Sequence, residues 1–369
     1  MSSHRAAIGK SAAEKLRAAD VGAVPAVLGL DGFVDEIIAV VDKRTADGYE
    51  PVPTIKRLSE KMAAAAGHSA NYELVVKRRK LGGNGPIMAN AIASLGASTT
   101  YIGNLGVPEV DPVFTPLLER ANVISIGQPG HTDALEFGDG KLMLGKHESL
   151  GEVNWNNLID RVGRDKLKAL LSDARLIGMV NWTMLPHMTD IWEHLLDEVV
   201  PNLEQHDRKL FIDLADPEKR TAHDIKMALQ TLARFQKQID VVLGLNQKEA
   251  EQVGELLGVK SDDPLTLADG IRKDLHIACC VVHPRHGAAA AIEGESAWFD
   301  GPFVEEPKIS TGAGDHFNAG FSLGRVLGLS LEESLCTGVG TSGYYVRTAE
   351  SPTAAQLADF VEDLPPGRS

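Results

Sequence analysis

Short apolar runs alternate along this chain with stretches whose apolar residues recur every three or four positions. That alternation limits the folds open to the chain more than any other feature. Runs at 24–30, 99–102, 176–180, 209–213, 241–245 and 278–282 read as strands. They are apolar almost throughout, not at every second residue, as strands covered on both faces are. Helical patterns lie near 86–95, 164–171, 190–199, 224–235 and 247–257. Strands and helices in strict succession predict an α/β fold, a mostly parallel sheet with helices on both sides. Ligands of such sheets bind beyond the carboxyl ends of the strands. Asp31 and Asp35, Asn181, Asp213 and Asp216, and Asn246 all follow such runs, with Asp315 further on.

One segment departs from the alternation. Residues 134–137 and 141–144 flank Gly138-Asp139-Gly140, a hairpin signal. A hairpin set into an α/β chain predicts a small β appendage, a lid, to which residues near 36–56 add strands. The expected organisation is a single domain over residues 1–369, with the lid inserted at about 36–56 and 98–145. At 369 residues, 43% hydrophobic and 24% charged, the chain has material for a large core. Its net charge of −14 weighs against nucleic acid or an anionic membrane as partner. The strong basic run Lys77-Arg78-Arg79-Lys80 reads either as a solvated strand end or as the border of an anionic ligand. Cys279, Cys280 and Cys336 form no CxxC pair and read as reduced thiols in a reducing compartment. Residues 1–20 make a polar, Ala-rich helical pattern unlike a signal peptide, and no run approaches the roughly 20 apolar residues of a membrane span. A cytoplasmic location is therefore expected. The tail at 363–369, with Pro365, Pro366 and Gly367, is expected to be loose.

Three motifs carry candidate chemistry. In Thr311-Gly312-Ala313-Gly314-Asp315, small residues precede a carboxylate at the start of a helical pattern containing Phe317, Phe321 and Val326. Small residues let backbone approach a ligand closely. The free amides and dipole of a helix start make an anion site. A carboxylate in the same turn can take a proton from a hydroxyl, and phosphoryl transfer needs both. Such a motif alone also serves as a turn whose Asp315 caps the helix. In Leu81-Gly82-Gly83-Asn84-Gly85-Pro86, two glycines lead into a small-residue helix, as a substrate loop or a tightly packed turn would require. Asn246 and Glu249 lie three apart at a helix start, on one face. That spacing suits a capping box, and equally the holding of Mg²⁺ through water beside phosphates.

In this order and spacing the motifs resemble the PfkB carbohydrate kinases, the ribokinase family, over residues 24 to 347. The resemblance implies a ribokinase-like three-layer α/β/α fold with a small β lid. It implies ATP-dependent transfer of the γ-phosphoryl group to a sugar hydroxyl. Asp315 matches the family's catalytic base, and Gly312, Ala313 and Gly314 its anion hole. Asp35 matches the residue that holds substrate hydroxyls, with Asp31 a close rival, and Gly82, Gly83 and Asn84 match the substrate loop. Asn246 and Glu249 match the motif that organises Mg²⁺ and phosphate, and Thr311 and Gly287 fall on the nucleotide side. The implied partners are a sugar and a nucleotide, with a homodimer through the lid.

Several positions depart from the family pattern. Ile309 stands where the family often has an Asp near a monovalent cation. The nucleotide loop reads Pro284-Arg285-His286-Gly287, keeping only the final Gly of G-x-x-G. Ile87 replaces a common Asn, and His316 replaces a small hydroxyl residue and is expected on the helix surface. A nucleoside acceptor, ADP as donor, and a sensor without catalysis remain open alternatives. His131, His283 and His286 lack zinc-ligand spacing.

Overall fold

The structure, a computed structural model, describes residues 3–368. Met1, Ser2 and Ser369, at the ends of the expected domain, lie outside the described residues. In chain order the strands are β1 (Pro25–Leu30), β2 (Phe33–Arg44), β3 (Tyr49–Pro51), β4 (Leu74–Gly82), β5 (Ser98–Gly103), β6 (Asn122–Ser125), β7 (Gly130–Phe137), β8 (Gly140–Lys146), β9 (Leu176–Val180), β10 (Lys209–Asp213), β11 (Asp240–Leu245), β12 (Cys279–Val282), β13 (Gly287–Ile292) and β14 (Glu295–Asp300).

Among the described residues, nine strands form one sheet in the order β14-β13-β12-β11-β10-β9-β1-β5-β6. From β6 to β12 every neighbouring pair is parallel, and β13 and β14 close the edge antiparallel. Successive residues of each strand enter opposite cores. On one face Val27, Ile177, Leu210, Ile212, Val241 and Leu243 pack on the helices Arg164–Asp173 and Ala222–Phe235. On the other, Ala26, Leu28, Phe211, Val242 and Val281 meet the helices Asn84–Ser94, Ala313–Val326 and Leu331–Thr348. Both faces are dry, which is why the strands are apolar at consecutive residues. Each fully buried Val, Leu or Ile contributes about 1.5–3 kcal/mol.

The second sheet, where the sequence predicts a lid, runs β3-β2-β7-β8, with β4 on the other edge of β2. Its small core of Ile38, Val40, Val52 and Leu135 takes in Leu58 of the helix Ile55–Ala64. Two sequence expectations about the lid are corrected. β5 and β6, inside the 98–145 segment assigned to it, belong to the large sheet, while β4, outside both predicted segments, belongs to the second sheet. β4 was hidden because its central residues, Lys77 to Arg79, are exposed and charged. The tail is also tied down. The Arg5 guanidinium donates to the carbonyls of Leu364 (3.3 Å) and Pro365 (2.8 Å), and Phe303 N donates to Pro366 O (2.9 Å). All three cysteines are free and buried. Among the described residues, no helix is long and apolar enough to cross a membrane.

Candidate active site

Parallel pairing puts the carboxyl ends of β1, β9, β10, β11 and β12 on one edge. Asp31, Asn181, Asn246 and His283 directly follow four of these strands, and Asp213 ends the fifth. The helix Ala313–Val326 starts against the same edge. Its N-cap, Gly312, has φ +89°, where a side chain would be strained and would press on Ile87 Cγ2 at 3.2 Å. The first-turn amides of Ala313, Gly314 and Asp315 have no helical carbonyl behind them. Ala313 N donates to Ser310 O (3.2 Å) in a turn. Asp315, only 7% exposed, accepts a hydrogen bond from Asn84 Nδ2 (3.0 Å). Burial pushes its carboxyl up to about 8. Asn84 opposes the shift, and the charges of Asp31 and Glu249 add to it.

Asn84 opens the helix Asn84–Ser94, and the Asp31 carboxylate caps that helix. The Asp31 carboxylate accepts from Asn84 N (3.1 Å), Gly85 N (2.8 Å) and Asn181 Nδ2 (2.6 Å), while Tyr101 OH donates to the Asp31 carbonyl. Burial pushes Asp31 up to about 6 against those hydrogen bonds. Asp35, on β2, is held less tightly. Lys80 Nζ lies 3.9 Å away, and Thr132 donates to it. Gly82 is required there, since a Cβ would sit 2.6 Å from the Asp35 carboxylate atoms. The two rival aspartates therefore differ: Asp31 is committed to a helix N-terminus, whereas Asp35 faces the glycine strand of the second sheet.

Asn246 and Glu249 form the capping box. Glu249 N donates to Asn246 Oδ1 (3.0 Å), and Asn246 N donates to Glu249 Oε2 (2.8 Å). Glu249 Oε1 also accepts from Asp216 N (2.9 Å). Asp213 accepts from Ala215 N (2.8 Å) and Asn318 Nδ2 (2.7 Å). Burial, then the charges of Glu249 and Asp315, raise Asp213 well above the carboxylate range. The charge of Glu249 raises both Asp213 and Asp315, so buried negative charge accumulates at this edge of the sheet. Among the described residues, no group of three or more His, Cys, Asp or Glu has direct metal-holding geometry.

Beside the site opens a cleft of about 930 Å³, lined by Asn246, His283, Gly287, Thr311, Ala313 and Gly314. Gly287 starts β13 under Trp298, whose Cζ2 would be 2.4 Å from a Cβ. The basic run lies on β4, where Arg79 pairs with Glu36 (3.3 Å) and Asp111 (2.9 Å). His316 corrects its expectation. It is 2% exposed, because that face of the helix packs on Tyr345 and Ser351. Tyr101, Asn318 and Tyr345 belong to the site's hydrogen-bond frame and carried no signal in sequence. Each sits in an apolar strand or a helical pattern where a core role looked sufficient.

A model of the prokaryotic ketohexokinase family matches residues 4–364. The chain is 32% identical over 340 residues to a ketohexokinase of Haloferax volcanii, covering 90% of each chain. In structure it is similar to Arabidopsis thaliana ribokinase complexed with ribose and ATP (TM-score 0.64, 16% identity, 92% of this chain and 99% of that one). It is also similar to adenosine kinase of Sinorhizobium meliloti (TM-score 0.62, 17% identity, 92% and 98%). The chain belongs to the prokaryotic ketohexokinase family, within the PfkB, ribokinase-like sugar kinases.

Proposed function

We propose that the chain transfers the γ-phosphoryl group of ATP to a hydroxyl of a ketohexose. The observation that carries this reading is the buried Asp315, held by Asn84 of the acceptor loop at the first turn of a helix that opens on the cleft. Its pKa near 8 gives the carboxylate an affinity for a hydroxyl proton that an ordinary carboxylate lacks. Asp315 takes that proton as the hydroxyl oxygen attacks phosphorus. The bond from phosphorus to the ADP oxygen breaks, and the amides at Gly312, Ala313 and Gly314 stabilise the charge on the transferring group. For the phosphate to reach it, Ala313 N must exchange its turn contact with Ser310 O. Asp35, Gly82 and Gly83 hold the sugar, with Asp31 fixing the loop, while Thr311 and Gly287 border the nucleotide. Asn246 and Glu249 would hold Mg²⁺ through water, and the ion would neutralise phosphate charge. The small sheet closes over the sugar and excludes water.

Two further assignments belong to this proposal. Leu74 and Val76, on one face of β4, are 45–46% exposed, an apolar patch that a second copy would cover. Three buried, unbridged thiols fit a cytoplasmic, reducing compartment. The test is coupled ADP release with MgATP across ketohexoses, aldoses, ribose and nucleosides. Release that depends on a ketohexose supports the reading. A nucleoside preference, or release without any acceptor, overturns it.

A further inference from the structure

We propose that His316, fixed as its Nδ1–H tautomer, is a positioning residue for the anion loop and ties that loop to the acceptor-side helix. This inference rests on the kinase reading above. His316 Nδ1 lies 2.7 Å from Gly312 O, and Nε2 lies 2.8 Å from Ser351 Oγ. A carbonyl cannot donate, so Nδ1 carries the hydrogen. A neutral imidazole has one N–H, so Nε2 accepts and the Ser351 hydroxyl donates. Asn90 Nδ2 then donates to Ser351 Oγ (3.3 Å), so each link of the chain pairs one donor with one acceptor. Burial, which lowers the His316 pKa to about 4, keeps the ring neutral.

Gly312 O also accepts from His316 N at 3.1 Å, so both of its lone pairs are engaged. One residue earlier, Tyr345 OH donates to Thr311 O (3.0 Å), and its ring stacks on His316 at 3.6 Å and 12°. Two consecutive carbonyls of the loop are thus held by side chains behind it, which fixes the orientation of the peptide planes that aim the amides. The far end of the chain is anchored as well. Asn90 and Ser94, whose Oγ donates to Ser351 O at 3.0 Å, lie on the helix Asn84–Ser94. The first residue of that helix donates to Asp315. The acceptor-side helix is therefore tied to Asp315 directly at its first residue and to Gly312 indirectly, through Ser351 and His316, from its second half. A Ser or Thr at 316 would reach the carbonyl four residues back but not Ser351.

The test compares the wild-type chain with His316→Asn and His316→Phe. Each receives steady-state kinetics with MgATP and a ketohexose. Calorimetric binding is measured for a non-hydrolysable ATP analogue and for AMP, and the wild type is also examined by ¹⁵N NMR of its histidines at pH 7. His316→Phe is expected to lower kcat by about tenfold or more, with the acceptor KM within about twofold. It should weaken the ATP analogue but not AMP, which lacks the terminal phosphate. His316→Asn keeps an amide donor near Gly312 O and should recover most of kcat. The His316 nitrogens should read as Nδ1 protonated and Nε2 bare. An Nε2–H tautomer, equal losses in both variants, or an unchanged His316→Phe would each overturn the inference. A wild type inactive with every acceptor would sink the kinase reading, while the tautomer and binding measurements would still judge this one.

Discussion

Replacing Asp315 by Asn should abolish transfer and, at neutral pH, make the ligand-free protein more stable. The folded carboxyl sits at about 8 against an ordinary 3.8, raised chiefly by burial. Between those two values the folded chain keeps a proton that the unfolded chain releases. Stability therefore falls as pH rises through this window, the reverse of a salt-bridged carboxylate. Each pH unit costs about 1.4 kcal/mol. Over the roughly three units from 3.8 to 7 the ceiling is ~4 kcal/mol, and water entering near the ionised group reduces it to about half. Asn is neutral at every pH and can still accept from Asn84 Nδ2. Denaturant unfolding of both proteins at pH 4 and pH 7 measures the effect. The variant should be equal to the wild type at pH 4 and about 2–4 kcal/mol more stable at pH 7. Equal stability at both values would mean that Asp315 is solvated or paired, and the argument for an activated base would fall.

Other expectations follow from the same geometry. Gly312→Ala forces a side chain to φ +89°, which should cost about 1 kcal/mol or more and lower kcat more than it raises any KM. Asp35→Ala should raise the acceptor KM about tenfold and leave ATP KM unchanged, since the loss of one hydrogen-bonded charge costs about 1.5–3 kcal/mol. Asp31→Ala should instead destabilise the fold by about 3 kcal/mol, because the donors of Asn84, Gly85 and Asn181 lose their partner. The profile of kcat/KM should rise with pH and level off above about 8, where Asp315 is ionised. A profile flat from pH 6 to 9 would contradict the assignment of the base.

The large sheet was legible because its strands are buried on both faces and so read as unbroken apolar runs. β9 and β10 match their predicted limits, and β1, β11 and β12 differ by a residue at the amino end. The lid was less legible. β4 carries Lys77, Arg78 and Arg79 in the open, and a polar strand has no apolar period to betray it. The pattern near 190–199 hid a change of winding, an α-helix Met188–His194 running into a wider turn at Leu195–Val199. The Asn246–Glu249 capping box was readable from its three-residue spacing, and the small-residue loops singled out Asn84 and Asp315, which the structure brings into contact. The roles of Asn181 and Tyr101 around Asp31, and of Asn318 on Asp213, were not, because they depend on which strand ends the sheet order brings together. His316 was misjudged for the same reason: the partners that bury it, Tyr345 and Ser351, come from a later helix and its C-terminal turn.

The central claim is transfer of phosphate from ATP to a ketohexose with Asp315 as the base. ³¹P NMR of the wild-type chain with MgATP and a ketohexose tests it most directly, with Asp315→Asn beside it. A phosphomonoester signal should grow in step with ADP for the wild type, with neither appearing for the variant. Inorganic phosphate in place of the ester, or an ester formed at wild-type rate by Asp315→Asn, would contradict the account.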